Sequence, residues 1–299
     1  MKQLFFSFAL ALSLEVSADV FPVPGYTDRT TGVMTEHEKK GIEVSAERSI
    51  EGIQVKLYIS QSAKTAIANS AFLIPDAGYD QDKFNSFILD TFETSLEYLR
   101  QINPNQEVKI LNLVLIDKGG DVGTISEVPV HSRVIELHLG RWHKYFLRDA
   151  KSFVAVSSIH EFAHIINYIY SPKETRLHRE MTGVMVECLN FIQLYGMESF
   201  LASYRKSFTS KMTDLTVFNS DVYTNMNVIR NMAFIFFQNL YSGTYTGSTD
   251  SRKTSEEFVM NYLMNSKDDQ SGFDDALTKA GIKLTFKQLR EDTLKDLKS

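Results

Sequence analysis

The chain contains 299 residues, of which 43% are hydrophobic and 23% are charged, with 15 Gly and 6 Pro. This composition supports a sizeable core and excludes long disordered and fibrous classes. The 37 acidic and 32 basic residues give a net charge of −5. No cluster of Lys and Arg is dense enough to follow a phosphate backbone, so no nucleic-acid partner is expected.

The first 18 residues have the parts of a secretory signal peptide. Lys2 supplies a basic start, residues 4–14 form an apolar run, and Val16-Ser17-Ala18 ends the segment with small residues. The run is too short to span a bilayer. We therefore expect cleavage after Ala18 and a secreted or periplasmic protein without stable membrane insertion. The alternative is an N-terminal core helix or a membrane anchor.

The front half of the sequence mixes strand and helix patterns. Alternation of β-branched and aromatic residues predicts a strand over 52–60, and apolar residues at helical spacing predict a helix over 83–102. The run 108–116 is apolar on both faces, which indicates a central strand. A further strand is predicted within 128–139, around 134–139. This last strand is either a plain sheet strand or the edge along which an extended substrate adds.

Beyond Trp142 the hydrophobic period becomes helical. Helices are predicted over 149–170, 179–204, 221–241, 255–264 and 285–297. The single cysteine, Cys188, lies in one of these runs, so no intramolecular disulfide can form. We interpret Cys188 as a small buried core residue.

These elements predict an α+β fold class. No composition break resembles a flexible linker, so we expect one domain with two lobes after the signal peptide. The predicted domain covers 19–299, with an α+β lobe over 19–178 and an all-helical lobe over 179–299.

The segment His160-Glu161-Phe162-Ala163-His164 is an HExxH motif inside the predicted helix 149–170. The four-residue spacing places both imidazoles on one helical face, which suits two ligands of a tetrahedral metal. Glu161 lies about 100° around the helix from His160, where it can take a proton from bound water. The alternative, ordinary polar residues on a surface helix, would be costly among such apolar neighbours without a metal or partners.

A third ligand is sought among the acids that follow the motif, Glu174, Glu180 and Glu187. The metzincin pattern is absent, because Asn167 and Tyr170 stand where it requires Gly and His.

These acids differ in how many residues they lie from the start of the next predicted helix. If that helix begins near Arg179 and runs back beside the first, a ligand level with His164 must lie six or more residues into it. Glu187 meets this condition. Glu180 falls in the first turn, where the helix dipole favours a carboxylate. We therefore predict that His160, His164 and Glu187 bind one Zn²⁺, with His178 as a rival ligand.

These residues resemble the gluzincin branch of the zincin metallopeptidases. The HEFAH motif followed by Glu187 is similar to the family's HExxH and downstream Glu, and Val186-Glu187-Cys188-Leu189-Asn190 occupies the place of a Glu-Gly-Leu-Ala type segment. The segments 223–241 and 273–289 are similar to the family's C-terminal helical part. The resemblance implies a zincin-like fold with a mixed sheet, an active-site helix and a helical C-terminal lobe.

The sequence also departs from the family pattern. Cys188 stands where Gly is usual, and Phe191 stands where thermolysin-like members have an Asp, a role that Asn190 can fill in part. The resemblance implies a Tyr or His that stabilises the oxyanion. Tyr223 is the best candidate, ahead of Tyr241 and Tyr245.

The sequence thus predicts an exported zinc-dependent metallopeptidase that acts on a peptide or protein substrate, with Glu161 as the general base and Tyr223 as the oxyanion-stabilising residue. Two alternatives stay open. One is a zinc amidase or other hydrolase that acts on cell-wall peptides. The other is a non-catalytic binding protein that retains a zincin fold, although a purely structural site has no use for a base beside the metal.

Overall fold

A computed structural model describes residues 42–68, 80–103, 107–116, 126–127, 133–138, 150–170, 176–207, 226–246, 251–265 and 269–298. These residues form two compact units. The sheet unit extends to Tyr168, and the helical unit begins at Ile169. The α+β class is confirmed, since strands fill much of the first unit and helices form the second. The signal-peptide segment lies outside the described residues.

The sheet unit is built on a mixed five-stranded sheet of order β1-β2-β3-β5-β4. Its strands are β1 (Ile42–Ile50), β2 (Ile53–Ser60), β3 (Ile110–Ile116), β4 (Ser126–Glu127) and β5 (Val134–His138). β2, β3 and β5 run parallel to one another, while β1 and β4 pair antiparallel with β2 and β5. The three predicted strands correspond to β2, β3 and β5, and β3 is central as its apolar faces predicted.

β1, with the sequence IEVSAERSI, was not predicted, although its apolar and polar residues alternate as in a strand with one exposed face. It joins β2 through a tight turn in which Glu51 has φ 49° and Gly52 has φ 76°. Two successive positive φ values match the twist of an antiparallel hairpin. Glu51 and Gly52 therefore form the two-residue turn of the hairpin between β1 and β2.

Both faces of the sheet are buried around β3. Leu57, Leu113 and Ile135 are aligned in register across β2, β3 and β5 and share one face. Tyr58 and Val114 form an apolar cluster with Val134. This two-sided burial explains why the β3 sequence is apolar without alternation.

Of the two alternatives for β5, the pairing supports the plain sheet strand and not the substrate-binding edge. β5 pairs with β3 on one side and with β4 on the other, through Ser126↔Leu137 and Glu127↔Glu136. Among the described strands, β4 and β1 are therefore the outer ones. β5 has the predicted position in sequence, but β4 covers its middle.

Helices complete the sheet unit. α1 (Gln61–Ala68) follows β2 directly, and α2 (Gln81–Ile102) agrees with the predicted helix over 83–102. The Asp80 side chain accepts a hydrogen bond from the backbone N–H of Lys83, which caps α2. α3 (Ala150–Tyr170) agrees with the predicted helix over 149–170.

Ring contacts and ion pairs hold α2 in place. The rings of Phe92 in α2 and Phe162 in α3 meet edge to face at 6.3 Å. Arg48 of β1 contacts Asp90 at 2.6 Å and Glu93 at 2.8 Å on α2. α2 therefore ties the edge of the sheet to the helix that carries the HExxH motif.

The helical unit contains six described helices. They are α4 (Arg176–Tyr195), α5 (Met197–Ser207), α6 (Met226–Tyr241), α7 (Ser251–Asn265), α8 (Asp269–Lys279) and α9 (Phe286–Lys298). The single helix predicted over 179–204 is wrong, because Gly196 adopts φ 83° and separates α4 from α5. A left-handed residue ends a helix, and Gly adopts that conformation most readily. α8 was not predicted.

Aromatic side chains fill the core of the helical unit. Phe258 and Tyr262 stack along α7 at 5.9 Å, and Phe273 of α8 meets both rings edge to face. Phe236 of α6 packs against Phe258 at 4.9 Å. Such pairs add directional contacts to the burial of large apolar surfaces. Within the described parts of the chain, no helix has the length and apolar character that crossing a bilayer requires.

Candidate metal centre

The HExxH motif lies in the second half of α3, surrounded by apolar side chains. Ile159, Phe162 and Ala163 are fully buried between and beside the motif residues. No Pro or Gly interrupts the helix. The sequence therefore forms a regular helix whose backbone fixes the spacing of the three functional side chains.

Helical spacing brings the two imidazoles together. The rings of His160 and His164 lie 4.7 Å apart between centroids, at an interplanar angle of 89°. Each histidine is 7% exposed and Glu161 is 5% exposed. Glu161 lies about 100° around α3 from His160, beside the imidazole pair rather than opposite it. The two imidazoles thus lie together on one helix, as their four-residue spacing predicted.

A carboxylate completes a group that can hold a metal ion. One ligand atom each from His160, His164 and Glu180 lies within 4.8 Å of the others. Both histidines are buried, and Glu180, in the second turn of α4, is half-buried. Tetrahedral bonds of about 2.1 Å would hold neighbouring ligand atoms about 3.4 Å apart. These three side chains could therefore hold one cation if their ligand atoms approached one another by up to about 1.4 Å.

The predicted third ligand, Glu187, is not in this group. Its carboxylate lies 3.6 Å from the guanidinium of Arg230 on α6, and both side chains are largely buried. Glu180 and Glu187 share one face of α4, but two helical turns, about 10.5 Å along the axis, separate them. The structure therefore assigns Glu180 to the cluster with the histidines and Glu187 to an ion pair within the helical unit.

The depth criterion that favoured Glu187 is wrong, because Glu180 lies only four residues into α4 and still joins the group with the histidines. The sequence predicts that this helix begins near Arg179, which would place Glu180 in the first turn. α4 instead begins at Arg176, so that Glu180 lies one turn into the helix. Thr175, a residue type favoured at helix N-caps, was the signal in the sequence that could have moved the predicted start.

His178, the rival ligand, has a different environment. Its ring is buried and its Nδ1 shares a hydrogen bond with the hydroxyl of Tyr262. The ring also contacts Phe286 at 4.9 Å between centroids. His178 thus belongs to the aromatic core of the helical unit. Cys188 is fully buried, as predicted for a core residue.

The oxyanion-stabilising residue stays a prediction. Tyr223 lies outside the described residues. Tyr245 donates a hydrogen bond to Asp292 at 2.9 Å and accepts one from Asn239 at 3.0 Å, and burial is the main cause that raises its pKa. Burial likewise raises the pKa of Tyr241. These two hydrogen bonds connect Tyr245 to α6 and α9. They give its hydroxyl a structural role, which disfavours Tyr245 as the oxyanion-stabilising residue.

Comparison with known proteins adds no assignment to this geometry: no protein-family model, curated protein or solved structure matches the chain.

Proposed function

We propose that this protein is an exported zinc-dependent metallopeptidase of zincin-like fold. The observation that carries the proposal is the group formed by His160, His164 and Glu180, with the acid Glu161 beside the two imidazoles. Two histidines and one carboxylate are the protein ligands of a well-known class of hydrolytic zinc sites, which leave a position for water or substrate. The signal-peptide pattern of residues 1–18 supports a secreted or periplasmic location.

Zinc is favoured by the chemistry of the donor set. Two imidazole nitrogens and one carboxylate oxygen on regular helices suit Zn²⁺, which accepts a tetrahedral arrangement without ligand-field preference. Hard cations such as Mg²⁺ and Ca²⁺ prefer all-oxygen ligands. When bound at such a site, zinc acidifies a coordinated water and polarises a substrate carbonyl.

Glu161 supplies the acid–base chemistry. It is adjacent to His160 in sequence and buried beside the imidazole pair, so its carboxylate can accept a proton from the attacking water. The same group then delivers the proton to the leaving nitrogen of the peptide bond. Tyr223 is proposed to donate a hydrogen bond to the developing oxyanion.

The alternatives differ in substrate rather than in ligands. An amidase that acts on cell-wall peptides would use the same four residues on a different amide. A binding protein with a retained zincin fold would need the ligands but not Glu161. The presence of an acid at 161 therefore favours an enzyme over a scaffold.

The substitution Glu161→Gln tests the enzyme directly. Because it removes the base without touching a proposed ligand, the variant should keep close to one zinc per chain. We expect its hydrolysis of a casein or mixed-peptide substrate to fall by at least about a hundredfold. Metal content by elemental analysis and initial rates on the same preparation provide the measurement.

The control is His164→Ala, which should lose metal and activity together. Equal rates in Glu161→Gln and the wild type would remove Glu161 from the mechanism. Zinc binding without activity on peptides, but with activity on peptidoglycan fragments, would replace the peptidase by the amidase.

A further inference from the structure

Asn167 is a buried polar side chain on α3, three residues beyond His164. It is 1% exposed, and neither its Oδ1 nor its Nδ2 has a hydrogen-bond partner among the described residues. Buried amides are nearly always paired, since an unmatched one loses its hydrogen bonds to water and gains none in return. Such a residue in a regular helix calls for a specific explanation.

Other buried polar side chains nearby donate hydrogen bonds to backbone carbonyls of their own helix. Ser158 donates to the backbone carbonyl of Val154 at 2.5 Å, and Thr182 donates to that of His178 at 2.8 Å. Asn167 makes no bond of this kind. Its amide therefore remains available for a partner outside the helix backbone.

The helical spacing places this amide on the face of the imidazoles. His160, His164 and Asn167 are separated by four and three residues, so all three lie within about 60° of one another around α3. Ser158 lies about 160° from His160, on the opposite face. The unmatched amide and the two histidines thus share one side of the helix.

We propose that Asn167 is a positioning residue of the metal centre. When His160 and His164 hold a cation, the Asn167 amide, on the same face of α3, would offer Nδ2 as a donor and Oδ1 as an acceptor to the water that completes the coordination. This inference rests on the proposed metal site. Ligands require such outer hydrogen bonds to hold their orientation, and loss of one typically weakens metal binding 10- to 100-fold.

Zinc titration of the full mature chain against a chromophoric chelator tests this role. Asn167→Leu removes both hydrogen-bonding atoms at similar size, and should weaken zinc binding at least about tenfold. Asn167→Ser keeps one hydroxyl and should fall between Asn167→Leu and the wild type. Ser158→Ala is the matched control on the opposite face of α3, and should stay within about threefold of the wild type.

Thermal unfolding in the presence of a chelator gives a second measurement, in which Asn167→Leu should improve stability although it weakens zinc binding. Because Asn167→Leu replaces an unmatched buried amide by an apolar group, it should raise the melting temperature by about 2 °C or more. An asparagine with a purely structural role would instead lower the melting temperature when replaced and leave zinc affinity unchanged.

The outcomes separate this inference from the proposed function. Tight zinc binding by the wild type together with unchanged affinity in Asn167→Leu would overturn the role of Asn167 and leave the metal site intact. Absence of zinc binding in the wild type would overturn the metal site and this inference with it. If Asn167→Leu does not fold, Asn167→Ala removes the same amide without added volume, and is judged by the same affinity criterion.

Discussion

The two successive helices α3 and α4 supply the proposed ligands in different ways. On α3, the histidines are four residues apart, and helix geometry alone brings their rings to 4.7 Å. On α4, Glu180 and Glu187 have the same residue type and the same helical face, yet one joins the histidines and the other pairs with Arg230. Local spacing is thus enough to recognise the histidine pair, whereas the choice between two equivalent acids depends on their surroundings.

Zinc affinity gives the strongest test of this contrast. Glu180→Ala removes a proposed ligand, and we expect zinc binding to weaken more than about a hundredfold, beyond the range for outer-shell residues. Glu187→Ala should stay within a few-fold of the wild type, because that carboxylate lies against Arg230 instead of the histidines. Isothermal titration with Zn²⁺ on both variants provides the comparison.

Loss of zinc binding in Glu187→Ala with binding intact in Glu180→Ala would reverse the assignment of the two acids. The variant Glu180→Gln adds a control of similar size. It should bind zinc more weakly than the wild type, because a neutral amide is a poorer ligand than a carboxylate.

The free energy of unfolding should fall more in Glu187→Ala than in Glu180→Ala, which reverses the order expected for zinc affinity. Glu187→Ala leaves the Arg230 guanidinium, whose side chain is 14% exposed, without its carboxylate. Breaking a largely buried ion pair by removing one partner is strongly destabilising, and we expect the free energy of unfolding to fall by about 3 kcal/mol. Urea unfolding of the chelator-treated protein measures the loss. Replacing both partners, as in Glu187→Leu with Arg230→Met, should recover part of it.

The surface pair between Arg48 and Asp90 is the matched control. Although its atoms are only 2.6 Å apart, Asp90 is 64% exposed, so Asp90→Ala should change the free energy of unfolding by less than about 0.5 kcal/mol. A cost for Glu187→Ala no greater than that for Asp90→Ala would mean that the buried pair does not stabilise the helical unit.

The smallest predicted effect concerns the end of α4. Gly196 has φ 83°, and an added Cβ would meet no atom within 4 Å, so backbone strain alone determines the cost of a side chain. Gly196→Ala should lower the free energy of unfolding by about 1 kcal/mol. Gly196→Asn should cost less, because Asn tolerates the left-handed conformation. Urea unfolding compares them, and equal stability of all three proteins would refute the strain argument.

The sequence by itself determined the features that depend on local periodicity. β2, β3, β5, α2 and α3 were predicted from alternating or helical spacing, and so was the arrangement of His160, Glu161 and His164 on one helix. Each of these follows from residues a few positions apart, whose relative placement is fixed by backbone geometry. Burial of the residues around the motif was also foreseen, because their apolar character left no other stable environment.

The tertiary structure decided the features that depend on partners distant in sequence. β4 covers β5 although the pattern left that strand free to form an edge. The start of α4 at Arg176 moved Glu180 one turn into the helix, and Arg230, 43 residues after Glu187, gave that acid its counterion. A carboxylate can bind a metal ion or pair with a guanidinium equally well. The residue type alone therefore could not choose between Glu180 and Glu187. Only the folded positions of both partners could do so.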